Sequence, residues 1–200
     1  MINGSIVSEY SLSFDGANDY VDCGNDSSLD ITTGDVTVSA WVKMDTLSGV
    51  DVIAGKRANV GSGSGYSLFI ESNVVQFKVG GASTTRHTAG ATTLSTGQWY
   101  HIVCTFDYDG ASYVYLNGSQ DGTTGTNTTG SLTNADSFRI GHDNIAGRYF
   151  DGDIDEVSVW DAALDADAVA AIYNSGSPIN LNEDKGNYDN KGDLVSWWRC

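Results

Sequence analysis

The chain is poor in several residue types, and each scarcity excludes something. Its 200 residues carry only ten Lys plus Arg against 26 Asp plus Glu, a formal net charge of −16 at pH 7. A chain this acidic disfavours a phosphate-rich partner, because nucleic-acid binders present a basic face. No run of about 18 apolar residues occurs, so nothing reads as a membrane span or an inserted segment. The cysteines, Cys23, Cys104 and Cys200, lack the paired spacing of a disulfide framework. Cys104 shares an apolar strand face with Tyr100, Ile102 and Phe106 and reads as a buried thiol, although a Cys23–Cys104 bridge stays open. His87, His101 and His142 show no His-x-x-x-His spacing, and no Ser or Cys stands in a nucleophile motif. Glutamate is confined to Glu9, Glu71, Glu156 and Glu183. The other acids are aspartates, which suit turns and cation ligation better than helix surfaces. The opening residues, MINGSIVSEYSLSF, have neither a basic stretch nor an apolar one after it, so no export signal is expected.

What is abundant points to strands. Glycine is common (24) and proline occurs once, among many Ser, Thr and Asn, a composition of short strands joined by turns. The length fits one sandwich domain. Val36, Val38, Ala40 and Val42 alternate with Thr37, Ser39, Trp41 and Lys43, a half-buried strand. Further strands are expected at 10–14, 20–23, 51–56, 66–70, 74–79, 99–107, 112–116 and 138–141. Asn73, Asp109-Gly110 and Asn117-Gly118 mark the hairpin turns between them. The stretch Asn59 to Gly65 is a loop and not a phosphate cradle, since no Lys-Ser/Thr follows it. One short helix is expected from about Ala166 to Asn174, with Asp165 as N-cap and Gly176 at its end. The division is a polar lead over 1–9, a main domain over 10–176, and a tail over 177–200. The tail is a polar linker and then a strand, Leu194 to Cys200, with a tryptophan on each face. Such a strand should pair with this sandwich, near the 10–14 strand, or with a neighbouring chain.

Two stretches echo each other. Phe14-Asp15-Gly16 is followed by Asp19 and Val21, and Phe150-Asp151-Gly152 by Asp155 and Val157. Strict alternation places Asp155 on one face with Val157 and Val159, and so toward the core. A core-facing carboxylate needs a partner, and a hard cation is the simplest one on so acidic a chain. The expected structural calcium set is therefore Asp15, Gly16, Asp19, Gly152 and Asp155. The alternative is that these acids cap turns.

The same residues carry a family resemblance. Leu12 to Gly16 with Asp19 to Val21, then VTVSAWVK (36–43), WYHIVCTFD (99–107), VYLNG (114–118), IDEVSVW (154–160) and AIYNSG (171–176), resemble in order the signatures of laminin-G-like modules of the concanavalin A-like lectin/glucanase superfamily. The resemblance covers about residues 10–176. It implies an all-β jelly-roll sandwich of two antiparallel sheets with one short C-terminal helix, often holding one structural calcium. Modules of this kind usually work outside cells, and bacteriophage particle proteins often carry them. With no export signal, the resemblance implies a virion or extracellular setting.

Three functions follow as expectations. The first is non-enzymatic binding or adhesion, with surface carbohydrate as ligand. His142, Asp143, Asn144, Arg148 and Tyr149 put aromatic, amide and charged groups together at one loop, as a sugar site requires; a well-capped turn is the plainer reading. The second is a structural virion protein, a capsid decoration or fibre component, partnered by other virion proteins or by copies of itself. The third is a glycosidase, which needs two carboxylates about 5–9.5 Å apart. Asp153 and Asp155 have suitable spacing, but no Glu-x-Asp-x-Glu strand, as in laminarinase-like relatives, is present. His101 reads as a satisfied structural histidine.

Overall fold

Alternating apolar residues build most of the strands. The computed structural model describes residues 10–32, 34–47, 49–57, 63–81, 85–124 and 130–199. The expected polar lead, most of the loop after Asn59 and Cys200 lie outside them. In chain order the elements are β1 (Leu12–Asp15), β2 (Val21–Asp22), β3 (Val36–Met44), β4 (Val50–Arg57), β5 (Gly65–Glu71), β6 (Val74–Gly80) and β7 (Thr85–Ala89). They continue with β8 (Trp99–Phe106), β9 (Ser112–Leu116), β10 (Ser119–Thr124), β11 (Arg139–Ile140), β12 (Asp151–Trp160), α1 (Ala166–Tyr173) and β13 (Leu194–Trp198). One sheet has seven strands in the order β1-β12-β3-β8-β9-β10, with β13 also on β12. The other has six, in the order β2-β11-β4-β5-β6-β7. All pairings are antiparallel, and the whole is the jelly-roll sandwich that the sequence implies.

The core lies between the sheets. Val36, Val38, Ala40, Val42 and Met44 of β3 and Ile102, Cys104 and Phe106 of β8 face Ile53, Tyr66, Leu68, Ile70 and Phe77 of the smaller sheet. A second apolar layer covers the outside of the larger sheet, where α1 lays Ala168, Val169 and Ile172 on Val103, Tyr115 and Trp160. Asp165 caps α1 as expected, accepting from Ala168 N at 2.8 Å. The helix ends at Tyr173, within one residue of the expected Asn174, which as C-cap adopts the left-handed conformation (φ 46°). The tail joins this layer: Ile179, Leu181 and Tyr188 are buried in it, and Tyr188 Oη donates to Leu181 O at 2.9 Å. Strand β13 then takes the edge of β12 beyond the end of β1, Val157 opposite Trp198. Trp198 stacks on Phe138 at 4.8 Å in the main core, while Trp197 packs with the outer layer. Both tryptophan faces are used within one chain.

Three readings need correction. Strand β7 was not expected; its sequence, Thr-Arg-His-Thr-Ala, offers little apolar pattern, and it forms because β6 presents a free edge to it. Asp155 does not share the core face of Val157 and Val159. Asp155 lies opposite Trp41 but Ser158 lies opposite Ser39, so β12 carries one extra residue there. Glu156 absorbs it with φ 54°, an uncommon conformation for a non-glycine residue, and parity reverses at this bulge. Ile154 and Val157 therefore both reach the core. In β13 a second bulge, at Val195, breaks the expected alternation in the same way. Cys23 and Cys104 are free, so the open bridge does not form.

Candidate functional site

The twin Phe-Asp-Gly turns meet. Phe14 lies opposite Gly152 and Asp15 opposite Asp151, and Gly16 N donates to Phe150 O at 3.1 Å. The Phe14 and Phe150 rings touch edge to face, with centroids 6.3 Å apart. Gly152 is required where β12 pairs with β3: its φ is 136°, and a Cβ would lie 2.1 Å from Lys43 O. The acids of the first copy tie its turn. Asp15 Oδ1 accepts from Ala17 N (2.9 Å) and Asn18 N (3.3 Å), which holds the carboxyl below its ordinary pKa, and Asp19 Oδ2 accepts from Asp15 N (3.3 Å). Asp155 stands four residues along β12 from Asp151, some 13 Å at about 3.3 Å per residue. Its Oδ1 accepts from Glu156 N at 2.8 Å. Asp15, Gly16 and Gly152 come together with Asp19; Asp155 does not join them, so the five do not fit one ion. Among the described residues no group of three or more His, Cys, Asp or Glu side chains is placed to hold a metal.

The five residues expected at a sugar rim are brought together. They sit in the loop between β11 and β12, which is tied shut by Phe150 N donating to Gly141 O at 2.9 Å. The loop is pinned to β4 by Gly141 N to Ile53 O (2.9 Å) and Val52 N to Arg148 O (3.4 Å). His142 stacks on Tyr149 with centroids 4.2 Å apart, and meets Tyr20, tilted, at 5.5 Å. Arg139 lies over the Tyr20 ring at 4.9 Å and pairs with Asp22, Nε to Oδ2 3.4 Å. The result is an aromatic ladder, Tyr149–His142–Tyr20, whose last ring is 44% exposed. Burial holds the His142 imidazole below its ordinary pKa, and Arg139 adds to this against the pull of Asp143. Both ring nitrogens of His142 are buried without a hydrogen-bond partner. Asp143, buried, accepts from Ile145 N at 3.0 Å and faces Arg148, Nη1 to Oδ2 3.6 Å. Asn144 does not face a ligand rim; its Nδ2 donates to Asp136 Oδ1 at 2.5 Å and props the loop.

The loop leans on the outer face of the smaller sheet, which the sequence reading did not include. Register and core packing put Val52, Arg57, Ser67, Phe69, Lys78 and His87 on that face. His87 stacks on Phe69 at 5.6 Å. Arg57 is lowered in pKa first by burial, with Asp143 opposing and Arg148 reinforcing. Lys78 is lowered first by burial and then by Arg57 and Arg148, against Glu71 and Asp143. One electrostatic group thus spans β4, β6 and the loop. The only available hint was the two-residue alternation of Ser67, Phe69, Gln76 and Lys78 against the core residues.

The outside of the larger sheet is closed by α1 and the tail. There Trp41, His101 and Tyr173 stack at 4.9–5.9 Å, and Ser39 Oγ lies 3.0 Å from His101 Nε2. Burial pushes His101 down to about 3, so it stays neutral, as a structural histidine would. The cavity beside it, bounded by Trp41, Glu156 and Ile179, is about 10 Å³, room for one water and no ligand. Asp153 of the carboxylate pair is held by Lys43 at 2.5 Å.

Residues 15–170 match the Laminin_G_3 family of the concanavalin A-like lectin/glucanases superfamily, and the chain belongs to this family. No curated protein matches it. Among solved structures it resembles a protein of Bacteroides ovatus assigned to carbohydrate binding, with TM-score 0.69 and 18% identity over 94% of this chain and 50% of that one. It also resembles a heptameric SAP-like pentraxin of Limulus polyphemus (TM-score 0.63, 18% identity, 95% of this chain and 91% of that one). A third is domain 4 of an extracellular arabinanase of Geobacillus stearothermophilus, in complex with arabinotriose (TM-score 0.61, 24% identity, 80% and 74%). The chain spans half the length of the Bacteroides protein. At these identities the likeness establishes the fold alone.

Proposed function

We propose that this chain is a non-enzymatic carbohydrate-binding module, and that the sugar seats between the Tyr149–His142–Tyr20 ladder and the outer face of the β4–β7 strands. The observation that carries the reading is the ladder itself. A half-exposed ring, Tyr20, ends a stack that stands beside charged groups of one loop, the composition of a small-ligand site. The names of the relatives support it, since they include a carbohydrate-binding assignment and an arabinotriose complex. The non-enzymatic part is supported by the two aspartates of the glycosidase reading: Asp153 is engaged by Lys43, and Asp155 accepts from its own neighbour. A glycan array tests the reading directly. Wild-type protein should bind at least one saccharide class, and Tyr20→Ala and Tyr149→Ala should each lose it while keeping the wild-type melting curve. A protein that binds no saccharide refutes it and leaves the structural virion component.

The setting we infer is a bacteriophage particle or another extracellular surface, on the strength of the sequence resemblance. Cryo-electron microscopy of the native assembly tests this, and a protein found in no particle counts against it. Calcium is proposed only for the Asp15–Gly16–Asp19 turn, since Asp155 lies too far away to share an ion.

A further inference from the structure

Strand β13 is held by one edge. Among the described residues its strand neighbour is β12 alone, and all five of its residues are half-buried. β1 covers β12 from Asp151 to Ile154 and β13 covers it from Val157 to Trp160, so the two edge strands lie end to end along β12. The Glu156 bulge falls in the joint between them. Three contacts seat the strand. Trp198 stacks on Phe138 at 4.8 Å, Trp197 Nε1 donates to Glu156 Oε2 at 2.6 Å, and Arg199 Nε stands 3.6 Å from Glu156 Oε1. The receiving groups belong to the sandwich and not to the tail that carries β13. The tether is a turn. Asp193 N donates to Asn190 O at 3.1 Å, and Asn190 Nδ2 donates to Asp193 Oδ2 at 2.9 Å. Before it Tyr188 is buried in the outer layer, and after it Leu194 already lies opposite Trp160. Lys191 and Gly192, at its centre, are exposed.

We propose that β13 is an exchangeable strand, and that the partner this edge of β12 fits is β13 of a second copy of the chain. A second copy brings the same two tryptophans and the same arginine. Every contact named above re-forms across the pair, and the turn is the part whose conformation must change. Neither half can stay open. A free β13 would bare Trp197 and Trp198 to water, and its departure would bare Phe138 and the β12 edge. An opened molecule therefore closes on itself or captures another. A strand of different sequence fits less well. It would have to set an N–H donor against Glu156 Oε2 and lay a ring within 7° of parallel on Phe138, in the register that pairs Val157 with Trp198. The net charge of −16 sets two copies against each other, so added salt should favour the exchanged pair. Saccharide binding plays no part in this proposal.

Shortening the turn tests it. A chain lacking only Lys191 and Gly192 loses the central residues of the reversal and cannot fold β13 back onto its own β12. The exposed Lys191–Asp184 pair lost with them contributes little to stability. Light scattering in reducing buffer, at about 0.5 M salt to screen the repulsion, should give this variant twice the mass of one chain. Its melting curve should stay near that of the wild type, because the exchanged strand keeps its seat. Removing residues 194–200 as well should return the mass to one chain. Wild-type protein held just below its melting temperature in the same buffer should convert in part to the same dimer. A shortened variant of single-chain mass overturns the proposal. If it melts like the wild type, the turn was not needed; if it melts far lower, β13 found no second seat. A dimer that survives removal of residues 194–200 overturns it in favour of another surface, and a wild type that stays single under the warm conditions overturns the exchange.

Discussion

Replacing Lys56 with methionine should be among the most damaging single changes in this protein. Lys56 is 1% exposed in its side chain, and its ammonium is ringed by oxygens. It donates to Asn25 Oδ1 (2.6 Å), Asp136 O (2.8 Å) and Asn134 O (2.9 Å), and Asp30 Oδ1 stands 3.0 Å away. The charge thus ties three chain segments, 25–30, 56 and 134–136, at one end of the sandwich. Methionine keeps the apolar stem and removes every one of these contacts, leaving a carboxylate and three oxygens facing a thioether. Hydrogen bonds from a charged donor contribute about 1.5–3 kcal/mol each but do not add. Breaking one partner of a buried pair costs about 3–5 kcal/mol, and that is the expected loss. For a domain of this size each kcal/mol moves the melting temperature by about 2–4 °C, so a fall of about 6–20 °C is expected. Urea denaturation of both proteins measures it, with the slope checked for equality. The loss should reach the site as well, because Asp136 also accepts from Asn144 Nδ2 in the β11–β12 loop. A variant within about 1 kcal/mol of wild type would refute the reasoning, showing that the ring of oxygens is as well served by water.

Other outcomes follow from the same geometry. Burial raises the Glu156 carboxyl to about 7, with Asp155 pushing the same way and Trp197 and Arg199 opposing. A carboxyl raised in the folded state stabilises most below its unfolded value, and that stability is lost as pH rises through about 7. Wild-type stability should therefore fall between about pH 4.5 and 7. Glu156→Gln, which can still accept from Trp197 Nε1 (2.6 Å in the wild type), should flatten that fall, and an unaltered pH profile would discount Glu156 as its source. Deleting residues 194–200 removes Trp197 and Trp198 and bares the β12 edge; it should destabilise the isolated chain by about 3 kcal/mol or more in thermal melts, and an unchanged melt would mean that β13 serves a partner. Calcium at the Asp15–Asp19 turn predicts that EGTA lowers the melting temperature and that Asp15→Asn abolishes the effect; a melt indifferent to chelator dismisses the ion.

Much of the sandwich was legible because its strands obey simple alternation. Val36 to Met44 and Tyr100 to Phe106 show their buried faces outright, and Asp165 and Asn117-Gly118 mark a helix start and a hairpin by side-chain chemistry alone. The failures share a cause. Alternation assumes one residue per step, and β12 and β13 each insert one extra. Nothing in Asp155-Glu156-Val157 announces that a glutamate will take a positive φ, so alternation alone puts Asp155 on the wrong face and into a metal set it does not join. The loop half of the candidate site was readable because its residues are contiguous. The sheet half was not, because Arg57, Ser67, Lys78 and His87 meet only through the β4–β7 pairing, and β7 itself has almost no apolar signature.

The central claim is that a saccharide binds on the Tyr20–His142–Tyr149 ladder. Proton-resonance difference spectra of bound sugar report which ligand atoms lie against aromatic rings, and the decisive comparison is between wild type and Tyr20→Ala, whose ring is the exposed end of the ladder. The account predicts saturation transfer to the sugar ring protons in the wild type and its loss in Tyr20→Ala at an unchanged melting temperature. Saturation transfer of equal strength from both proteins would contradict it, because the sugar would then sit elsewhere on the molecule.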